Sequence, residues 1–163
     1  MPEGGLTPKK ALGISLAALV VILDQLSKQW VTTGLSLGES IEVLPGLRFT
    51  YVRNPGAAFS FLAEAGGWQR WFFMGLAAVA SAAIIVWLWR LKNERTLEGV
   101  GLCLVLGGAL GNLIDRARFG YVIDFVDVYY RQWHWPAFNI ADAAITLGVT
   151  LLVWGELKSK RGG

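Results

Sequence analysis

The segment Gly120-Tyr-Val-Ile-Asp-Phe-Val-Asp-Val-Tyr-Tyr-Arg-Gln-Trp-His-Trp-Pro-Ala-Phe-Asn-Ile-Ala-Asp142 decides how the rest of the chain is read. Asp124 and Asp142 stand where apolar spans are interrupted or begin. An ionised side chain in or near hydrocarbon costs at least a few kcal/mol, so an acid kept there marks a functional site. Two such acids suggest a shared task.

Working outward, the chain has 163 residues, 54% of them hydrophobic, with a mean hydropathy of +0.46. That is too short for two ordinary domains and too apolar for one soluble domain, so a single membrane-embedded domain over residues 1–163 is expected. The net charge of +3 does not point to nucleic acid. The basic residues lie outside the apolar runs, with no block of five or six like charges. The lone cysteine, Cys103, lies inside an apolar run and excludes a disulfide framework or a cysteine metal site. His134 is the only histidine, and neither a His-Glu-x-x-His nor a Gly-x-Ser-x-Gly motif occurs. No metal and no cofactor is expected.

A membrane-spanning helix needs about 20 mostly apolar residues. Four stretches qualify, at about 11–32, 70–91, 96–115 and 139–157, leaving segments 33–69 and 116–138 on one side. The first resembles a signal peptide, since Lys9 and Lys10 precede Ala11 to Leu23, but it lacks an Ala-x-Ala site and reads as a retained anchor. Orientation follows from Lys and Arg. Eight lie at the N-terminus, the second connection and the tail, against six on the other side, so both termini are placed in the cytoplasm. Pro45-Gly46, between residues 40–44 and 47–52 rich in β-branched and aromatic types, signals an extracytoplasmic hairpin. Arg53 to Ser60 reads as a loop folding back on the bilayer surface, and Trp68, Trp71, Trp133 and Trp135 as an interfacial aromatic belt.

Polar residues converge by helical spacing. Asp24 and Lys28 are four apart and can pair, a structural role that makes two buried charges tolerable. Gly108, Asn112, Asp115 and Arg116 fall within about 100° of arc, and Asn139, Asp142 and Thr146 share a face. Gly107 to Gly111 has a Gly-x-x-x-Gly spacing suited to close helix packing. The four-span topology brings all of these acids and amides to the extracytoplasmic surface. A small proton-coupled multidrug transporter, the alternative reading, needs its acids near the midplane. A non-catalytic scaffold would leave the inward polar stripe without a purpose. Two neighbouring carboxylates share a proton: one activates water for attack on a peptide carbonyl while the other polarises the carbonyl oxygen.

Together, Asp24-Gln-Leu-Ser-Lys28, Arg53-Asn-Pro-Gly-Ala-Ala-Phe-Ser60, Gly107-Gly-Ala-Leu-Gly-Asn-Leu-Ile-Asp-Arg116, Gly120-Tyr-Val-Ile-Asp-Phe125 and Phe138-Asn-Ile-Ala-Asp142 resemble the bacterial lipoprotein signal peptidase family, also called signal peptidase II. The resemblance covers nearly the whole chain. It implies a mainly α, four-helix inner-membrane aspartyl endopeptidase that cuts prolipoproteins before the diacylglyceryl-modified cysteine. Asp124 and Asp142 match its catalytic pair, and Asn54, Gly108, Asn112, Arg116 and Asn139 match its substrate-binding positions. Asp24, Lys28 and Asp115 match structural support. The resemblance also implies a small sheet near residues 40–52 and a short extracytoplasmic helix near 123–133. The implied partners are the diacylglyceryl-prolipoprotein substrate and membrane lipid, for a protein that is monomeric and does not bind nucleic acid.

Overall fold

The computed structural model describes residues 8–56, 68–91 and 96–161. The later part of the Arg53-to-Ser60 motif, residues 57–60, lies outside these, as do Lys92 and Arg95 from the charge count. Four helices form: α1 (Pro8–Gly34), α2 (Trp68–Arg90), α3 (Thr96–Phe119) and α4 (Ile140–Arg161). Each contains a stretch long and apolar enough to cross a membrane. Helices α1, α2 and α4 are largely exposed along their lengths, as with Leu12, Val79 and Trp154. In a soluble protein such a surface would aggregate, whereas hydrocarbon solvates it.

Helix α3 is the spine. A side chain at Gly107 would meet the Ala17 carbonyl of α1 at 2.7 Å, and one at Gly101 the Gly148 carbonyl of α4 at 2.9 Å. The missing side chains let three backbones approach, which is how helices associate in lipid. Two small cores fill the remaining space, one around Ala17, Cys103 and Leu106 and one around Val20, Leu104 and Ala144. Gly120, at φ 85°, ends α3 by donating its N–H to the Arg116 carbonyl at 3.0 Å, a left-handed cap that glycine adopts without steric cost.

Both connections that carry strands, after α1 and after α3, emerge at the same end of the bundle. There β1 (Ser40–Leu44), β2 (Leu47–Asn54), β3 (Val122–Tyr130) and β4 (Trp133–His134) pair antiparallel in that order. The expected hairpin turns at Pro45-Gly46, with Gly46 at φ 89°. The helix expected near 123–133 is a strand instead. Val122, Ile123, Phe125, Val126, Val128, Tyr129 and Tyr130 are β-branched or aromatic, the residue types that suit a pleated, partly buried strand. That segment also hydrogen-bonds β2, with Val52 opposite Asp124 and Asn54 opposite Val122. One face of the sheet packs Tyr51, Ile123 and Phe125 on Val31 of α1 and on Leu35 just beyond its end. Successive side chains of a strand point to opposite faces, so Asp124 faces away from that core. α1 therefore runs ten residues past Asp24 to carry the sheet, which places Asp24 deeper than the end of the first apolar run suggested.

Candidate active site

Asp142 sits in the first turn of α4, and its position follows from the helix cap. The Asn139 side-chain oxygen accepts the Asp142 N–H at 2.9 Å, while the Asp142 carboxylate accepts the Asn139 N–H at 3.3 Å. This reciprocal capping box satisfies two helix-end donors and leaves a carboxylate at the positive end of the helix dipole. Asn139 has a further role. Its amide donates to Asp124 Oδ1 at 2.7 Å, so one buried residue holds both acids.

Each acid has a second amide partner. Asn54 Nδ2 donates to Asp124 Oδ2 at 2.9 Å, and Asn112 Nδ2 donates to Asp142 Oδ1 at 2.8 Å. Asn112 is itself aimed by a buried cation: Lys28 Nζ donates to its oxygen at 3.1 Å, which turns its NH₂ towards Asp142. Lys28 also lies 2.8 Å from both Asp24 and Asp115, with all three side chains almost fully buried. Asp24 in turn accepts the Ala141 N–H at 2.9 Å, and Asp115 accepts the Ile123 N–H at 3.1 Å. The support network is thus tied to the backbone beside each acid of the pair.

The charges are set by burial. Asp124 is pushed up to about 6, first by loss of solvation and further by the nearby negative charge of Asp142, against hydrogen bonds from Asn54 and Asn139. Asp142 is only half-buried. Arg116 has the charges of Asp142, Asp124 and Asp115 around it, and its guanidinium lies 5.4 Å from the Phe73 ring. A model of the Signal peptidase (SPase) II family matches residues 16–158. The chain belongs to the signal peptidase II family.

Curated relatives agree. The lipoprotein signal peptidase of Hydrogenovibrio crunogenus is 51% identical over 141 residues, covering 86% of this chain and 82% of that protein. That of Alteromonas mediterranea is 52% identical over 153 residues, covering 91% and 84% respectively. Two solved bacterial membrane enzyme structures superpose with TM-scores of 0.82 and 0.79 at 34% and 36% identity. They cover 92% and 91% of this chain, and 90% and 94% of their own. The protein is a multi-pass membrane protease, and nothing in these likenesses favours a transporter.

Of the residues singled out in sequence, Asp124, Asp142, Asn54, Asn112, Arg116 and Asn139 come together in one cluster. Asp24, Lys28 and Asp115 lie directly behind it. Gly108 lies against α4, next to Ala141. A side chain there would strike the Ala141 carbonyl and Ile145, so its face is filled by α4 and its role is close packing. Thr146 shares the Asp142 face but only caps back onto the Asp142 carbonyl at 2.9 Å. Sequence reasoning missed Gln25, which donates to Asp115 Oδ1 at 2.8 Å. It also missed the Asn139-x-x-Asp142 box, whose cap residue followed three later by an acid was the available signal. His134 binds Asp127 at 2.9 Å in the sheet and takes no part in the site.

Proposed function

We propose that this signal peptidase II removes signal peptides from diacylglyceryl-modified prolipoproteins by aspartyl chemistry, with Asp124 and Asp142 as the catalytic pair. The observation that carries the reading is Asn139 holding both carboxylates at once, from its side chain and its backbone. Two carboxylates held by one residue can divide the work of acid and base between them. Asp124, buried and raised to about 6, keeps the shared proton and polarises the scissile carbonyl. Asp142, half-buried at the helix N-terminus, is the base that takes a proton from the attacking water. When the amine leaves, the pair returns that proton to it. Arg116, in reach of both acids, donates to substrate carbonyls, while Asn54 and Asn112 hold the acids in register.

The site lies at the sheet end of the bundle. In the orientation with both termini cytoplasmic, it opens at the extracytoplasmic surface of the inner membrane, where a lipid-anchored precursor presents its cleavage site. The test is release of signal peptide from a purified lipidated precursor, normalised to folded enzyme. Asp124→Asn and Asp142→Asn are each expected to abolish turnover, with the double variant hardly worse than either, because groups acting as one unit are not additive. Wild-type-like cleavage by either single variant would sink the mechanism.

A further inference from the structure

The cations of this chain divide by type. At the sheet end every exposed or partly exposed cation among the described residues is an arginine: Arg48, Arg53, Arg70, Arg116, Arg118 and Arg131. All six guanidiniums lie over aromatic rings, at 4.7 to 5.5 Å from a ring centroid. Arg48 is used by Asp127 and Arg116 faces the catalytic pair. Three of the others converge on one corner, the turn from α3 into β3.

There the rings of Tyr121 and Phe119 stack at 5.8 Å, with Arg53 4.9 Å from Tyr121 on one side and Arg118 4.7 Å from Phe119 on the other. Arg70 reaches the same turn from α2, donating through Nη2 to the Ala117 carbonyl at 2.7 Å, while its buried Nε has no hydrogen-bond partner among the described residues. The height of the corner is informative. Arg70 opens one membrane-length stretch and Phe119 closes another, so the three guanidiniums stand where hydrocarbon gives way to headgroups.

We infer that this corner, Arg53, Arg70 and Arg118 around the Phe119–Tyr121 stack, binds the phosphate of an anionic phospholipid headgroup. Arginine suits this task and lysine does not: its planar fork meets phosphate oxygens in pairs, and it rests on aromatic rings without losing its charge. Arg53 gives its Nε to the Tyr51 hydroxyl at 3.0 Å, which fixes its fork, while the Arg70 Nε has no acceptor among the described residues. Three positive charges on one phosphate favour an anionic headgroup over a zwitterionic one, whose ammonium they would repel. The site lies on the opposite sheet face from Asp124, so it is separate from the cleavage machinery and independent of how that works.

The test is native mass spectrometry of the full chain released from nanodiscs containing equal phosphatidylglycerol and phosphatidylcholine, scoring which lipid is retained. Wild type is expected to hold one phosphatidylglycerol in preference to phosphatidylcholine. Arg53→Gln and Arg118→Gln are each expected to weaken this by roughly 5-fold and the pair by about 25-fold. Arg131→Gln, on Tyr130 beyond the corner, serves as the control and leaves retention unchanged. Thermal unfolding confirms that each variant is folded. Equal retention of the two lipids by wild type, undiminished retention in the double variant, or full displacement of the lipid by millimolar inorganic phosphate would each overturn the assignment.

Discussion

Asp124 is where the cost of the site is concentrated. It is 2% exposed, and burial raises its folded-state value from 3.8 to about 6. The folded chain therefore holds this proton more tightly than the unfolded one, and stability contributed by the protonated form is lost as pH rises between those two values. The ceiling on that loss is about 3 kcal/mol. Asparagine cannot ionise, so Asp124→Asn is expected to gain on wild type in thermal midpoint from pH 4 to pH 7, whatever their difference at pH 4. Its own amide meets the donors of Asn54 and Asn139, which lowers the variant's midpoint by the same amount at every pH and leaves the gain with pH unchanged. Parallel curves over that range would show that Asp124 ionises normally. That Asp124 and Asp142 share one place was legible in sequence, because an acid beside an apolar span is too costly to be idle. How they are held was not. Asn54, Asn112 and Asn139 come from three separate elements, and only the fold reveals that their amides converge on two carboxylates.

At the scale of elements, α3 and β3 show opposite limits of sequence reading. The Gly107-to-Gly111 spacing announced close packing, but which neighbour meets which glycine depends on tertiary geometry. β3 carried a run of β-branched and aromatic residues that an expected helix overrode, and its pairing with β2 is what carries Asp124 to Asn54. The glycine faces give a prediction. Gly108→Ala would drive a methyl group into the Ala141 carbonyl, next to Asp142, where backbone rather than a flexible side chain must yield. Overpacking of this kind costs about 1–3 kcal/mol. Cleavage should fall as well, because the shifted backbone carries the capping box. Gly75→Ala in α2 meets nothing within 4 Å and should preserve both stability and cleavage. Thermal midpoints and precursor cleavage of the two variants check this. Lys28→Met is expected to be more damaging, costing about 3–5 kcal/mol by leaving Asp24 and Asp115 buried without their shared cation. Asp24→Asn in the same background should restore part of the folded yield, since one fewer buried charge is then unpaired.

For the whole molecule, the open question is which end faces the cytoplasm, and the distribution of cations bears on it. A raw count of Lys and Arg separates the two ends only narrowly, eight against six. The count treats all cations alike, whereas the six at the sheet end rest on aromatic rings and two of them are occupied by acids of the fold. Lys158 and Lys160 at the end of α4 are exposed and over no aromatic ring among the described residues, with Lys160 3.3 Å from Glu156 one turn back, and a cluster of this kind close to a span is what orientation responds to. The guanidiniums keep their charge on the rings, so the margin stays at eight against six in favour of cytoplasmic termini. In a Cys103→Ala background, Gln132→Cys in the exposed turn between β3 and β4 should react with a membrane-impermeant thiol reagent in spheroplasts. Lys160→Cys should react only after permeabilisation. Both positions are exposed, so reactivity reports side rather than burial. The reverse pattern would put the catalytic pair on the cytoplasmic face, where a precursor already translocated and lipidated at the outer surface could not reach it, and would overturn the proposed substrate route while leaving the family assignment intact.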